Sequence, residues 1–484
     1  MSDPDAVVVG SGPNGLSAAL TLARAGWSVL VVEGSDRPGG GCRTESLTEG
    51  GFLHDVCSSV HPMLATSPFF ESVDLETLGV RLCTPSVSFA QPLDDGRAGV
   101  AYRSFDETVR QFGVDASRYR RLVEPFCAAA DDVVATFLAP IRSVPRHPVA
   151  PTRFALKGLP PVSWLARRFS SDEPAAVLAG AAAHSARPLS APLTGAFALL
   201  FAVLAHSVGW PVVEGGSARI TDGLLDAFGR MGGRVETGRW VHSLQELPRA
   251  RAVLLDVTPR QLLQIAGPAL SDSMRRGYRR FRYGPGICKV DWALSGPVPW
   301  SAPACRETAT VHVGGTAAEV ARAEAAVAAG RHPEHPFCIV VQPSVVDATR
   351  APDGRQTLWA YCHVPSGSDV DMTQRIEAQI ERFAPGFKDV VLARRTTTAA
   401  DVENHNPSYV GGDIGAGATT LRQIVGRPVL RWNPYRTGLR GVYLCSASTP
   451  PGGGVHGMCG LHAARSVLQD ERHGRLSSNV SGSL

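Results

Sequence analysis

The sequence has few lysines, no C-x-x-C cysteine pair and little net charge. A formal charge of +4 over 484 residues gives no overall field that would draw the chain to nucleic acid, so we expect no nucleic-acid partner. The ten cysteines are scattered, which argues against a zinc ribbon or a thioredoxin-like site and fits a reducing cytoplasm. Lysine occurs only at Lys157, Lys289 and Lys388, so each lysine can be considered by itself.

Long apolar runs are also lacking. The most apolar run, Leu189 to Ala205, has 17 residues and contains Pro192, whereas a membrane-spanning helix needs about 20. We interpret this run as a buried helix. The segment from Met1 to Asp5 leads directly into an apolar strand pattern, which leaves no room for a secretory signal peptide. We therefore expect a cytoplasmic protein.

The first segments of the chain alternate between two kinds of apolar pattern. With 44% hydrophobic and 19% charged residues, the composition is that of a globular protein. Residues 5–10 and 28–33 are apolar runs typical of buried strands, and residues 13–25 have apolar side chains at helical spacing. The sequence therefore predicts a strand, a helix and a parallel strand, as at the start of a dinucleotide-binding fold.

The first predicted turn is rich in glycine. Gly10, Gly12 and Gly15 form G-x-G-x-x-G, in which the first glycine allows the turn, the second admits a pyrophosphate and the third allows close packing. Glu33 ends the second strand, where an acidic side chain binds a ribose hydroxyl and disfavours the 2′-phosphate of NADP. The predicted cofactor contacts of this unit are Gly10, Gly12, Pro13, Asn14, Gly15, Glu33 and Gly34.

The next segment, DRPGGGCRT at 36–44, resembles FAD-binding oxidoreductases of the glutathione reductase and amine oxidase type. In that family an R-x-G-G-R-x-x-[ST]-like segment lies along the FAD pyrophosphate. Gly41 stands where the family commonly has arginine, and Arg43 is the guanidinium expected to make bidentate bonds to phosphate. The resemblance implies FAD as the cofactor, with contacts from Arg37, Gly39, Gly40, Arg43 and Thr44.

The stretch GVYLCSASTPPGGGVHGMCGLHAARSVL at 441–468 resembles the phytoene desaturase-like oxidoreductases, which include carotenoid desaturases, retinol saturases and pyridine nucleotide-disulphide oxidoreductase domain-containing proteins. Residues 213–228, 283–300, 310–315 and 406–414 share the resemblance. It implies that the terminal glycine loop and helix place backbone N–H groups against the flavin, where negative charge gathers on reduction. The implied contacts are Ser446, Gly453, Gly454, Val455 and His456, with Val241 from a strand expected around it.

We predict an α/β fold with two domains. The Rossmann-like FAD-binding domain is expected to be discontinuous and to take residues 1–75, 210–256 and 415–472. A substrate domain with a mixed sheet and helices is expected from residues 76–209 and 257–414, with strands at 287–294 and 357–364 and a helix at 372–383. The polar tail 473–484 is expected to be disordered.

Two residues are predicted to be catalytic, Lys289 and His456. In several relatives of this fold a lysine on the strand that corresponds to GICKVDWAL reaches the flavin N5 through a water. Such a lysine would stabilise reduced flavin as a cation, or accept a proton as a neutral amine. The alternative for Lys289 is a sheet-edge lysine that points to solvent. We expect His456 to donate a hydrogen bond at the flavin edge.

Other histidines and cysteines are spaced in ways that suggest metal or flavin attachment. His456, Cys459 and His462 form H-x-x-C-x-x-H, but a loop that runs into a helix splays such side chains. We therefore expect no metal and a non-covalent FAD. His54, Cys57 and His61 are interpreted as a packed loop, and the alternative is that they face the cofactor cavity.

The resemblance implies hydride removal from, or addition to, an apolar, isoprenoid or lipid-like substrate, with desaturation, saturation or isomerisation of C–C bonds. One alternative is a flavin amine oxidase, although the loop PGGGVHGMCG lacks the aromatic residues that amine oxidases place on the flavin face. Another is a binding protein without redox turnover, because Rab escort and GDP-dissociation-inhibitor proteins resemble this fold. The electron acceptor, the direction of reaction and the oligomeric state are left open.

Two segments suggest a surface for membranes. MRRGYRRFRY at 274–283 alternates arginines with aromatic residues, and residues 154–169 add Trp164, Arg167 and Arg168. Such surfaces can lie at a membrane interface. We interpret them as solvated basic faces, and peripheral membrane contact is the alternative.

Overall fold

The computed structural model describes residues 3–140, 143, 145, 147–476 and 480. In this part of the chain the strands are β1 (Ala6–Val9), β2 (Val29–Val32), β3 (Thr44–Glu45), β4 (His54–Asp55), β5 (Leu82–Cys83), β6 (Val87–Pro92), β7 (Ala98–Tyr102), β8 (Val212–Val213), β9 (Arg234–Glu236), β10 (Ala252–Leu255), β11 (Gly286–Leu294), β12 (Thr310–Val313), β13 (Cys338–Val341), β14 (Gln356–Val364), β15 (Val391–Thr397) and β16 (Val442–Leu444).

The α-helices of the same residues are α1 (Pro13–Arg24), α2 (Pro62–Ala65), α3 (Pro68–Val73), α4 (Phe105–Gln111), α5 (Ala116–Cys127), α6 (Ala130–Phe137), α7 (Val149–Gly158), α8 (Val162–Ala166), α9 (Asp172–Ala183), α10 (Thr194–Ser207), α11 (Ala218–Arg230), α12 (Pro259–Ile265), α13 (Asp272–Arg279), α14 (Ala317–Ala328), α15 (Thr373–Phe383), α16 (Ala399–His405), α17 (Leu421–Gly426) and α18 (Met458–Arg472).

A parallel sheet of five strands carries the glycine turn. Its order is β16-β10-β1-β2-β9, and each neighbouring pair is parallel. β1, β2 and β10 are buried along their whole length, which explains their unbroken apolar sequences. α1 packs against α11 and α18. These strands and helices confirm the predicted Rossmann-like part of the fold.

The second large sheet is mixed and has seven strands, in the order β15-β11-β14-β13-β12-β6-β7. Its pairs are antiparallel except β12 with β6. β11, β14 and α15 confirm the strands predicted at 287–294 and 357–364 and the helix predicted at 372–383. One face of the sheet packs on an apolar cluster that contains Trp292 and Trp300. The opposite face borders the cavity described below.

The apolar run at 189–205 is a buried helix only in part. α10 begins at Thr194 and ends at Ser207, and Leu193 before it has a left-handed backbone with φ of 72°. Pro192 disfavours helical geometry at the residue before it, which accounts for the later start. α10 has apolar side chains on all sides, which is typical of a buried helix, and most of them are buried. No helix of the described residues is long and apolar enough to cross a membrane.

Two local predictions are wrong. Val241 lies outside any strand, because β9 ends at Glu236 and the chain then turns at Gly238, which has a φ of 68°. The tail was expected to be disordered, yet Val480 is buried and its N–H donates to the Ala250 carbonyl at 2.8 Å. Residues 477–479 and 481–484 lie outside the described residues. The domain boundaries remain a prediction.

Candidate functional site

One large cavity connects the two sheets. It has a volume of about 1530 Å³ and extends from the carboxyl ends of β1 and β2 to the mixed sheet and to α7 and α10. The glycine turn and Glu33 line one end. Apolar side chains line the other end, namely Phe137, Phe154, Leu159, Leu193, Ala196, Phe197 and Phe201. A polar cradle and an apolar compartment therefore share one continuous space.

The glycine turn leaves the first turn of α1 open. α1 begins at Pro13 after its N-cap residue Gly12, with no acidic residue in its first turn and no side-chain bond from the N-cap. Of the N–H groups in this turn, that of Gly15 is bonded to the Asp256 carboxylate. Gly10 has a φ of 101°, which favours glycine, and a Cβ on Gly15 would lie 2.1 Å from the Gly10 carbonyl oxygen. The glycines therefore permit the tight turn and helix packing, and the helix N-terminus can bind an anion.

Glu33 is held at the end of β2 by this turn. Its carboxylate accepts hydrogen bonds from the Ser11 N–H at 2.9 Å, the Ser11 hydroxyl at 2.6 Å and the Ser35 N–H at 2.8 Å. Trp240 covers Gly34 so closely that a Cβ there would lie 2.5 Å from the indole. Glu33, Gly34 and Val241, all predicted cofactor contacts, line the cavity, and Glu33 stands where an acidic residue binds a ribose hydroxyl in dinucleotide-binding folds.

Asp256 lies with the glycine turn and Glu33 at the polar end of the cavity, the dinucleotide cradle, and was not among the predicted contacts. It follows β10, lines the cavity, and accepts a hydrogen bond from the Gly15 N–H at 2.9 Å. Burial raises the pKa of Asp256 to about 7; the Gly15 N–H opposes this shift and the nearby Glu33 adds to it. The available signal was an acidic residue at the end of the buried run AVLL, beside the strand that carries the glycine turn.

The segment after β2 faces the cavity only in part. Gly40 and Arg43 line it, and Nε of Arg43 is buried without a hydrogen-bond partner among the described residues. The Tyr409 hydroxyl fills the position of a side chain at Gly41, since a Cβ there would lie 2.1 Å from it. The family's arginine would therefore collide with Tyr409.

Four predicted contacts lie beside the cavity, so their contact with the cofactor stays a prediction. Gly15, Arg37, Gly39 and Thr44 do not line the cavity. The Gly39 N–H donates to the Ser11 carbonyl at 3.2 Å, and the Thr44 hydroxyl donates to Asp55 at 2.8 Å. These bonds hold the turn and the segment after it in place.

The terminal glycine loop reaches the cavity, but His456 does not. Ser446, Gly453, Gly454 and Val455 line the cavity, and His456 does not. Nδ1 of His456 accepts the Met458 N–H at 3.0 Å, and its Nε2 lies 3.2 Å from the Gly452 carbonyl oxygen. Burial lowers the pKa of His456 to about 4. Both ring nitrogens are thus engaged in their own loop, which contradicts the expected hydrogen bond from His456 to the flavin edge.

The neighbours of His456 also bond within the protein. Cys459 Sγ contacts the Thr449 carbonyl oxygen at 3.6 Å, and His462 Nε2 contacts the Leu138 carbonyl oxygen at 3.1 Å. Among the described residues no group of three or more His, Cys, Asp or Glu side chains could hold a metal ion. The H-x-x-C-x-x-H spacing is accounted for by these internal contacts.

Lys289 is buried on an inner strand. β11 lies between β15 and β14, and Lys289 is 3% exposed, so the alternative of an edge lysine that points to solvent is wrong. Its ammonium forms an ion pair with Asp291 and lies 5.3 Å from the centre of the Trp359 ring. Lys289 does not line the cavity, whereas its cross-strand partner Tyr361 does. Its predicted role at the flavin stays a prediction.

The loop before α2 is divided between the core and the cavity. His54 is fully buried against Thr48, whereas Cys57 and His61 line the cavity, so the packed-loop interpretation holds for His54 alone. His61 Nε2 contacts the Ser217 hydroxyl at 3.1 Å. Burial lowers the pKa of His54 to about 3 and that of His61 to about 4, so both rings are neutral near pH 7.

The polar end of the cavity fits a dinucleotide. The open N-terminus of α1 and the partnerless Nε of Arg43 are suited to a pyrophosphate. The Oδ1 of Asn14 is buried without a partner among the described residues and could accept a hydrogen bond from a hydroxyl or N–H group of the dinucleotide. Glu33 stands where a ribose hydroxyl binds. These residues together could hold the pyrophosphate and a ribose of FAD.

The two basic segments for which membrane contact is the alternative, 274–283 and 154–169, differ in the exposure of their aromatic side chains. In α13 the Tyr278 ring is buried and its hydroxyl donates to the Thr437 carbonyl at 3.1 Å, and Phe281 is buried as well. Two of the three aromatic residues of 274–283 therefore belong to the core, and the third, Tyr283, lines the cavity. By contrast, Trp164 of α8 is 62% exposed.

Comparison with known proteins supports the resemblance found in the sequence. The family model of the NAD(P)-binding Rossmann-like domain matches residues 8–71. The chain is 26% identical to pyridine nucleotide-disulfide oxidoreductase domain-containing protein 2 of Mus musculus, over 96% of this chain and 93% of that protein. It is 25% identical to phytoene desaturase (neurosporene-forming) of Rhodobacter capsulatus, over 94% and 92% of the two chains.

The fold has counterparts among solved structures. Wild-type putrescine oxidase bound to putrescine superposes with a TM-score of 0.61 at 18% identity, and the match covers 97% of this chain and 99% of that one. The predicted fold class and the resemblance to phytoene desaturase-like oxidoreductases are confirmed. The dinucleotide-binding domain is of the type typical of FAD-binding oxidoreductases.

Proposed function

We propose that this chain, a distant homologue of the phytoene desaturase-like oxidoreductases, binds FAD non-covalently and acts on C–C bonds of an apolar substrate. The observation that carries the proposal is the single cavity in which a dinucleotide cradle opens into an apolar compartment. When bound, FAD would supply hydride transfer to or from carbon. The apolar compartment would exclude water from the reacting carbons.

The cradle residues divide the binding of FAD between them. The N-terminus of α1 and Arg43 would hold the pyrophosphate, and Glu33 would accept a hydrogen bond from a ribose hydroxyl. The backbone of Gly453 and Gly454 would offer N–H groups to the flavin. Lys289 would act as a buried charge, held by Asp291, beside the Tyr361 side of the cavity.

The first experiment is a measurement of flavin in the purified protein. We expect flavin absorbance at about one FAD per chain, since one cradle lines the cavity. After acid precipitation the yellow colour should stay in the supernatant, because the FAD is held by non-covalent contacts. A colourless protein whose melting temperature does not rise with added FAD would contradict the proposal.

A second candidate function is amine oxidation, favoured by the fold shared with putrescine oxidase. The two candidates separate in an anaerobic assay, in which the bleaching of flavin absorbance is followed with isoprenoid hydrocarbons or with amines. Bleaching by amines, with peroxide release once oxygen is admitted, would favour the amine oxidase. A flavin that no reductant or substrate can reduce would favour a binding protein without redox turnover.

We also propose that the cavity is entered from a membrane surface. Four side chains line the cavity and are nevertheless highly exposed, namely Leu156 (68%), Leu159 (46%), Leu421 (52%) and Val425 (48%). Basic side chains are exposed close by, namely Arg153 and Lys157 of α7 and Arg422 of α17. An apolar rim with basic side chains suits an anionic lipid surface, from which an apolar substrate could pass into the cavity without crossing water.

A further inference from the structure

The wall of the cavity contains one buried ion pair, which is used neither by the cradle nor by the proposed cofactor contacts. Glu324 of α14 and His363 of β14 both line the cavity. Nδ1 of His363 lies 2.9 Å from Oε1 and 3.1 Å from Oε2 of Glu324, and the side chains are only 5% and 3% exposed. Charged groups this deeply buried need partners for all their polar atoms.

One nitrogen of this pair, Nε2 of His363, has no hydrogen-bond partner among the described residues. Burial by itself would lower the pKa of His363, but the Glu324 carboxylate raises it above its ordinary value. The carboxylate at 2.9 Å from Nδ1 favours the imidazolium form, in which Nδ1–H donates to Glu324 and Nε2–H is a second donor. Within the residues that the structure describes, no acceptor is found for its Nε2–H. Because His363 lines the cavity, a bound ligand or water can accept this hydrogen bond.

The surroundings of the pair are mainly apolar or aromatic. His363 is the cross-strand partner of Ile287, and the Tyr361 ring centre lies 5.7 Å from that of His363. Ile339 is the cross-strand partner of Tyr361, and Ile287 and Ile339 both line the cavity. In such a wall a single charge-assisted donor would fix the orientation of a ligand more than it would add contact area.

Two further donors on the same sheet face support a ligand that carries oxygen. Nε1 of Trp359 and Oγ1 of Thr310 are buried without a hydrogen-bond partner among the described residues, and both residues line the cavity. Thr310 and Trp359 both pair with Val341, on either side of β13, so all three side chains point to one face. A pure hydrocarbon would leave these donors unsatisfied.

We propose that the His363–Glu324 pair binds a neutral carbonyl or hydroxyl oxygen of the substrate. The substrate class is then an apolar chain that carries an oxygen, and the pair decides which end of it lies against the mixed sheet. A carboxylate fits less well, because the ion pair is already neutral and an added anion would be an uncompensated buried charge. The apolar character of the substrate rests on the proposed function, whereas the oxygen site rests on the pair itself.

Binding of three probes tests the site. Dodecan-2-one, dodecane and dodecanoate are titrated into the full-length protein in a fixed low concentration of non-ionic detergent, with tryptophan fluorescence as the readout. We expect the ketone to bind about 10- to 100-fold more tightly than the alkane, the range for a hydrogen bond to a charged group. Dodecanoate should bind less tightly than the ketone. Equal affinity for ketone and alkane would overturn the site, and tightest binding of dodecanoate would overturn its preference for a neutral oxygen.

The matched variant is His363→Phe with Glu324→Leu, which removes both charges together and so leaves neither unpaired. It should bind ketone and alkane equally while its melting temperature and FAD content stay near those of the unmodified protein. His206→Phe is the control, because His206 bonds to Tyr119 and the Tyr102 carbonyl away from the cavity. Its ketone preference should remain. A preference that persists in the double variant would refute the assignment to this pair.

FAD content, read from absorbance in the same samples, separates this inference from the proposed function. A flavin-free protein that still prefers the ketone would refute FAD binding and support the oxygen site. A yellow protein without the preference would do the reverse. If the double variant does not fold, Glu324→Gln keeps an acceptor for Nδ1 and removes the charge, and it should then weaken ketone binding selectively.

Discussion

The backbone N–H of Gly15 donates a 2.9 Å hydrogen bond to Oδ2 of Asp256, a residue 241 positions away in the chain. The bond joins the start of α1 to the end of β10 and places a carboxyl group directly behind the glycine turn. Burial raises the pKa of that carboxyl to about 7. The proposed phosphate cradle therefore contains an acid that titrates near neutral pH.

The first prediction is that FAD binding weakens as the pH rises through 7. The folded pKa of Asp256 lies above its ordinary value of 3.8, so the group is protonated in the cradle at pH 6 and ionised at pH 8. Bound phosphates would raise this pKa further. Each pKa unit by which they raise it corresponds to up to about tenfold weaker FAD binding at a pH above the pKa. Dissociation constants for FAD, measured at pH 6 and pH 8, should differ by up to that factor.

Asp256→Asn should remove this dependence. The amide keeps an oxygen to accept the Gly15 N–H and carries no charge, so the affinity at pH 8 should equal that at pH 6. Asp353→Asn, at an exposed position, is the control and should behave as the unmodified protein. The same linkage predicts that the free energy of unfolding without FAD falls between about pH 4 and pH 7 in the unmodified protein more than in Asp256→Asn. Equal pH profiles in the two proteins would rule the explanation out.

The second prediction is that Gly12→Val empties the FAD site. A Cβ at position 12 would lie 3.0 Å from the Asp256 carboxylate, and the larger side chain would also block the approach of a pyrophosphate to the backbone. The variant should be purified without flavin absorbance. Gly229→Val is the matched control, because a Cβ there meets nothing within 4 Å and the position is exposed. A yellow Gly12→Val protein would contradict the cradle assignment.

The third prediction concerns the buried pair of Lys289 and Asp291. Lys289→Met removes the partner of a fully buried carboxylate, so it should lower the free energy of unfolding by about 3–5 kcal/mol. Lys289→Met with Asp291→Asn should recover most of this loss, because neither charge is then unpaired. Thermal or urea unfolding of both variants measures the difference.

The same two variants test a role of Lys289 at the flavin. If its charge assists electron or proton transfer, both variants should bind FAD and slow flavin reduction or reoxidation by ~10²- to 10⁴-fold. Stopped-flow absorbance of the bound flavin gives these rates. Recovery of both stability and flavin kinetics in the double variant would show that Lys289 serves only the fold.

The fourth prediction is that the protein sediments with anionic vesicles. Leu156 and Leu421 of the rim are largely exposed near basic side chains, so vesicles of phosphatidylcholine with phosphatidylserine should bind the protein, less so at high salt. Leu156→Asn with Leu421→Asn should reduce the bound fraction severalfold. Val114→Asn, which changes an exposed apolar residue that does not line the cavity, should leave the bound fraction unchanged. Equal sedimentation of all three proteins would refute the rim as a docking surface.

The sequence by itself determined the parts of this protein whose signal is local. The glycine spacing from Gly10 to Gly15 and the acidic end of β2 at Glu33 lie within one strand–helix–strand unit, so pattern and chemistry coincide within a short stretch. The strands β11 and β14 and the helix α15 were predicted for the same reason, since periodicity over about ten residues reflects which face is buried.

Only the tertiary structure decided which side chains meet. Asp256 joins the cradle because β10 pairs with β1, a contact across more than 240 residues that no local pattern reports. His456 turns away from the cavity because the Met458 N–H and the Gly452 carbonyl take both of its ring nitrogens. His363 and Glu324 form their ion pair because α14 packs against β14. Spacing along the chain determines secondary structure, whereas the direction of a buried side chain depends on partners that are brought close only by folding.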